Sequence, residues 1–176
     1  MSDIPMLIAI DPGPRESAWV RMEADIPLQF AIEPNEEVLA KLRHQRFPHG
    51  AHLAIEMVAS YGMAVGKDVF NTCVWIGRFI QAWGGPHTLV YRQDVKLTIC
   101  HDSRARDSNI RQAIIDRYPP TGGGKVPQIG TKAKPGPLYG VTKDVWSALA
   151  VALTWQEMKK EARNAQGRTN HDLAAS

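Results

Sequence analysis

Cysteine is nearly missing from this chain: two residues, Cys73 and Cys100, among 176. They form no Cys-x-x-Cys pair and no histidine pair stands beside them, so neither a zinc site nor a disulfide framework is indicated. Reduced, buried thiols and a cytoplasmic location are expected. Long apolar runs are missing too. No stretch approaches the roughly 18 residues that a membrane-spanning helix needs, and the opening "MSDIPMLIAI" has neither the basic start nor the hydrophobic length of an export signal. No internal repeat is visible. The six histidines are scattered. Only His49 and His52 lie close together, in an expected turn, so structural or exposed roles are expected for all six.

What is present is enough for one domain. Hydrophobic residues make up 44% of the chain, sufficient for a real core at this length. The net charge is only +3, but it is unevenly spread. From Arg92 to Lys143 there are ten Lys or Arg against four Asp, a local net of +6 that leaves −3 for the rest. A basic half beside an acidic half suits a polyanion-binding face, because phosphate contacts come mainly from Lys and Arg.

The apolar run Leu7 to Ile10 reads as a buried strand that ends on Asp11 and turns at Pro12 to Pro14. "SAWVRMEA" and "PLQFAIE" follow as strands with tight connections, which makes a three-strand antiparallel meander. "PNEEVLAKLRHQ" has helical spacing at Val38, Leu39 and Leu42, with Asn35 in the N-cap position. "HLAIEM" is a fourth strand and carries Glu56. Val69, Cys73, Ile76, Ile80 and Trp83 predict the buried stripe of a helix, and "HTLVYR" is a fifth strand. Short helices are expected over 95–99 and 107–118. Residues 119–140, rich in Gly and Pro, predict a long surface loop. A long helix is expected over 142–162, apolar on nearly all sides in its first half, followed by a mobile tail over 163–176. The tryptophans on helices, Trp75, Trp83, Trp146 and Trp155, are expected in the core or in a dimer contact.

An α/β domain with a five-stranded mixed sheet follows, the meander joined by two parallel strands and flanked by helices. An aspartate at a strand end is either a turn-former or a ligand. If the first and fourth strands are parallel neighbours, Asp11 and Glu56 share one spot. Two carboxylates so close raise a pKa unless a cation neutralises them, and oxygen-only ligands suit Mg²⁺ or Mn²⁺. Asp144 supplies a third carboxylate near the start of the late helix, where first-turn amides also satisfy an aspartate.

"IAIDPG", "LAIEMV", "YRQDVK" and "KDVWSALAVAL", in that order, resemble the RuvC-type Holliday-junction resolvases of the ribonuclease H-like superfamily, small bacteriophage members above all. The similarity spans nearly the whole chain to about Trp155 and is strong only at those four stretches. It implies a ribonuclease H-like nuclease domain over 1–162. Asp11, Glu56 and Asp144 are then the catalytic acids and metal ligands, and the fourth ligand position falls on Ser147, where the family has an acid or a histidine. Asp102 and Asp107 are the first candidates for a fourth acid from elsewhere. The implied activity is Mg²⁺-dependent hydrolysis of phosphodiester bonds in branched or four-way-junction DNA by a two-metal scheme, with Mn²⁺ able to substitute and a homodimer cutting two strands. It leaves a 5′-phosphate and a 3′-hydroxyl and needs no nucleotide cofactor.

The expected nucleic-acid contacts are Arg92 and Lys96, with Arg104 and Arg106, and Arg111 after them. Tyr61 or Met63, in the loop after Glu56, can stack on an unpaired base. "TGGGK" looks like a phosphate-binding loop, yet Val126 follows Lys125 where Ser or Thr belongs. It reads as a flexible basic loop, DNA-facing through Lys125, Lys132 and Lys134. The alternative function is a catalytically weak or inactive branched-DNA-binding protein of the same fold, which Ser147 motivates. An actin-like phosphotransfer domain also opens on an Asp-bearing strand, but that architecture needs two such domains.

Overall fold

The computed structural model describes all residues except 1–5, 45, 46, 48, 49, 61, 63, 175 and 176, and over 167–174 the backbone alone. The element order is β1 (Leu7–Asp11), β2 (Glu16–Glu23), β3 (Ile26–Pro34), α1 (Asn35–Arg43), β4 (His52–Met57), α2 (Lys67–Trp83), β5 (His87–Tyr91), α3 (Arg92–Cys100), α4 (Asp107–Asp116) and α5 (Val145–Ala174). The sheet order is β3-β2-β1-β4-β5. The first three strands form the antiparallel meander, and β1·β4 and β4·β5 are parallel. This is the five-stranded mixed sheet that the strand pattern predicts.

Because side chains alternate along a strand, β1 feeds two cores. Leu7 and Ala9 face α3, α4 and α5, whereas Ile8 and Ile10 face α1 and α2. The run Ala148 to Ala152 is fully buried, and its three alanines let α5 lie close on the sheet. No described helix is long and apolar enough to cross a membrane.

Several elements differ from expectation. Helix α2 centres its buried face on Thr72, Ile76 and Phe79, slightly rotated from the Val69 stripe. Thr72 tolerates burial because its hydroxyl donates to the Asp68 carbonyl at 2.8 Å. The rotation brings Phe79 fully inside and leaves Phe70 and Val74 exposed. Helix α5 continues to Ala174 instead of ending near Ala162. Residues 161–166 are exposed, so this helix needs no apolar stripe beyond the sheet.

The 119–141 segment is folded on itself. Gly122 and Gly123 N–H donate to the Pro127 and Lys134 carbonyls, both at 2.8 Å, and Leu138 N–H to Gln128 at 2.9 Å. Gly130 has φ +80, and a Cβ there would lie 2.2 Å from Gly136 N. A Cβ on Gly136 would lie 2.3 Å from Pro127 O. These glycines therefore permit close backbone packing, and buried Leu138 anchors the segment in the core.

His52 lies in β4 and not in a turn; His49 falls outside the described residues. Its ring stacks on Trp155 with centroids 4.5 Å apart, and it shares a 2.8 Å hydrogen bond with Thr88 Oγ1. Trp155 Nε1 donates to the same oxygen at 3.2 Å, so the Thr88 hydroxyl ties both rings to β5. Burial, then Lys159 and His87, lower the His52 pKa from 6.5 to about 4. Between those values the unfolded chain binds more protons than the folded one. This part of the stability is complete above pH 6.5 and is lost as pH falls towards 4. Urea unfolding at stepped pH is expected to show that slope in the wild type and a flatter one in His52→Gln.

Candidate active site

The site is built at the carboxyl ends of two parallel strands. The register pairs Ile10 with Ile55, so the next residue on each strand, Asp11 and Glu56, stand side by side. Asp144 immediately precedes α5, where its carbonyl accepts the Ala148 N–H at 3.1 Å, and Ser147 follows one turn later. Lys143 adopts a left-handed φ of 46°, which bends the chain into the helix at this point.

Electrostatics tie these groups together. Burial, the Glu56 charge and the Asp144 charge, in that order, push the Asp11 carboxyl from 3.8 up to about 8. Arg92 and a hydrogen bond from the Ser147 hydroxyl oppose the rise. Burial raises Glu56 as well, against the pull of Arg92 and a hydrogen bond with Asp11. Near neutral pH such a pair either shares a proton or takes a cation.

Arg92, expected as a DNA contact, is the first residue of α3 and lies within this acidic cluster. One Nη is 3.7 Å from Glu56 Oε1, and the other pairs with Asp107 at the start of α4. Asp107 therefore reaches the site through Arg92, whereas Asp102 pairs with Arg104. A cleft of about 640 Å³ opens beside the cluster between α4, the 119–141 segment and the start of α5. Arg92, Asp107, Arg111, Lys143, Asp144 and Ser147 are on its wall.

The other candidate contacts are more scattered. Lys96 is half-buried one turn after Arg92, and Arg104 and Arg106 are exposed just before α4. Lys125, Lys132 and Lys134 are exposed on the folded segment whose Val126 and Ile129 line the cleft. Tyr61 and Met63 lie outside the described residues.

Two positioning residues, Asn35 and Ser17, have roles that the sequence pattern does not signal. Asn35 does not cap α1; the residue preceding the helix is Pro34, which makes no side-chain cap. The Asn35 amide instead donates to the Gly13 carbonyl at 2.9 Å, and its oxygen accepts the Ser17 hydroxyl at 2.6 Å. Both side chains are buried, and together they fix the turn that follows Asp11. Asn35→Ala orphans these partners and is expected to cost about 1–3 kcal/mol of unfolding free energy. Asn35→Asp keeps the acceptor for Ser17 but loses the donor to Gly13, so denaturant titration should place it between the two.

No model of a known protein family matches the sequence, nor does any curated protein sequence. Solved structures do match. RuvC of Thermus thermophilus superposes with a TM-score of 0.54 at 16% identity, over 85% of this chain and 91% of that one. The same organism's RuvC in complex with a Holliday junction substrate gives 0.53 at 16% identity, over 85% and 92%. The chain has the RuvC fold. The order of its acid-bearing elements, β1, β4 and α5, is thus set within a RuvC-like architecture.

The donor set suits a divalent cation in kind. Asp11, Glu56, Asp144 and Ser147 offer oxygen alone, the choice of Mg²⁺ and Mn²⁺, and Asp11, raised first by burial and then by the Glu56 and Asp144 charges, is a carboxylate that a cation would favour in its charged form. Among the described residues, no three His, Cys, Asp or Glu side chains already converge tightly enough to hold an ion.

Proposed function

We propose that this protein is a metal-dependent, structure-selective endonuclease for branched or four-way-junction DNA. The observation that carries the reading is the placement of Asp11 beside Glu56 at the strand ends of a RuvC-like sheet, with Asp144, just before α5, close enough for its charge to act on Asp11. Asp11, Glu56 and Asp144 would hold Mg²⁺ or Mn²⁺, with the Ser147 hydroxyl beside them, as the resemblance implies. Bound there, the metal supplies Lewis acidity that activates water and stabilises the leaving 3′ oxygen. Arg92 and Lys143 bring positive charge to the cleft wall and orient the phosphate. Lys96, Arg104, Arg106, Lys125, Lys132 and Lys134 extend that charge along the DNA path, and Tyr61 serves as a stacking group after β4. A homodimer suits paired cuts in two strands, and α2 offers Phe70 and Val74, exposed one turn apart, for the contact.

The second reading, junction binding without cleavage, has an observation of its own: Arg92 already pairs with Glu56, and Ser147 contributes no charge. Synthetic four-way, flap and duplex DNA, incubated with Mg²⁺, Mn²⁺ or chelator, separate the two. The nuclease cuts the four-way junction with either metal, leaves duplex intact and stops in chelator. Binding without a cut under any metal selects the second reading. Equal cutting of duplex removes structure selectivity.

A further inference from the structure

We infer that the cleft between α4, the 119–141 segment and the start of α5 is a nucleobase pocket that receives one unpaired base of the bound DNA. The inference rests on the DNA-binding reading above and adds a site to it. Its lining combines apolar and cationic side chains. The folded segment contributes Val126, 40% exposed, and Ile129. This segment is preformed, because the backbone contacts at Gly130 and Gly136 leave no space for even a methyl group. From α4, exposed Arg111 has its guanidinium carbon 4.9 Å from the centroid of the Trp146 ring, and Ile110 and Ile115 add apolar surface. Trp146 is almost fully buried and gives Arg111 a fixed aromatic neighbour.

Aliphatic side chains and a planar cation in one cleft suit a flat, polarisable ring. Arg guanidinium planes stack on unpaired bases, and Val126 and Ile129 offer apolar contact in the same cleft. Ser108 and Gln112 also border the cleft and bring hydrogen-bonding groups to the edge of such a ring. A phosphate chain alone gives no reason for the apolar lining, since Lys and Arg suffice for it. The volume of about 640 Å³ lies within the range of sites that enclose small organic groups. Continuity with the acids completes the argument. Arg92, Lys143, Asp144 and Ser147 line the same cleft, so a base seated here lies next to the acidic cluster and its phosphate is within reach of it.

The test is binding of four-way junctions that carry one abasic site, moved nucleotide by nucleotide through the branch point. An Asp11→Asn background lets binding be read without cutting. Removing one particular base is expected to weaken binding by roughly 5- to 100-fold, the range of base stacking on a side chain. Arg111→Lys keeps the charge but loses the plane, so it should erase that sensitivity while leaving the salt dependence unchanged. Val126→Ser, exposed in the same cleft, should reduce it as well. If no abasic position matters, or if Arg111→Lys keeps the same sensitivity, the pocket holds no base and Arg111 is an ordinary phosphate contact. If intact junctions bind no better than duplex, the junction reading itself falls, an outcome visible before any abasic comparison.

Discussion

Asp11→Asn leaves the chain folded and able to bind branched DNA, yet cleavage falls by on the order of 10³-fold or more, about 4 kcal/mol of transition-state stabilisation. Asn is nearly isosteric with Asp but neutral, and the neutral amide is a far weaker ligand for a hard cation. Binding is retained or improved, because a negative charge facing phosphate has been removed. A second readout follows from the raised pKa. The Asp11 carboxyl titrates near 3.8 when unfolded and about 8 when folded, so between those values the folded state binds more protons and loses stability as pH rises. Without metal, Asp11→Asn should therefore unfold at a higher temperature than wild type at pH 8, with the gap closing towards pH 4. Wild-type cleavage by this variant would remove Asp11 from the catalytic set.

Legibility in the sequence followed the strength of the local constraint. Strands β1 and β4 are short apolar runs that stop at a carboxylate, and a buried strand with an acid at its tip leaves few places for that acid to go. The parallel pairing that sets Asp11 beside Glu56 is non-local; it was reachable only by assuming that the two strands are neighbours. Residues 119–141 show the opposite case. Gly and Pro mark turns in an open loop and close backbone packing in a folded one, and the composition is the same. Asn35 illustrates a further limit. A residue of N-cap type at a helix start has a local use, but here a distant carbonyl and hydroxyl compete for the amide and win. Arg92 was readable as a cation near phosphates. Its position between Glu56 and Asp107 depends on α3 starting directly after β5, at Arg92 instead of near Val95.

Ser147→Asp is expected to tighten divalent metal binding by about tenfold or more while lowering the stability of the metal-free chain. Ser147 lies one turn after Asp144 and hydrogen-bonds Asp11, so a carboxylate there joins the same cluster. Without metal, the new charge faces Asp11, already raised by burial, Glu56 and Asp144, and the Ser147 hydroxyl that lowered it is gone. Repulsion grows and the midpoint of thermal unfolding falls. With metal, the same charge becomes an added oxygen ligand, and tenfold tighter binding corresponds to about 1.4 kcal/mol. Linkage then requires a larger rise in unfolding temperature on adding Mg²⁺ than the wild type shows. The Mg²⁺ concentration for half-maximal cleavage should fall in parallel. Ser147→Ala, by contrast, should change the metal requirement little, since a neutral hydroxyl contributes little to holding a divalent ion. Loss of activity in Ser147→Ala would make the serine a ligand or a water-positioning group. Inactivity of a folded Ser147→Asp would turn the search for a fourth acid to Asp107, which already reaches the cluster through Arg92.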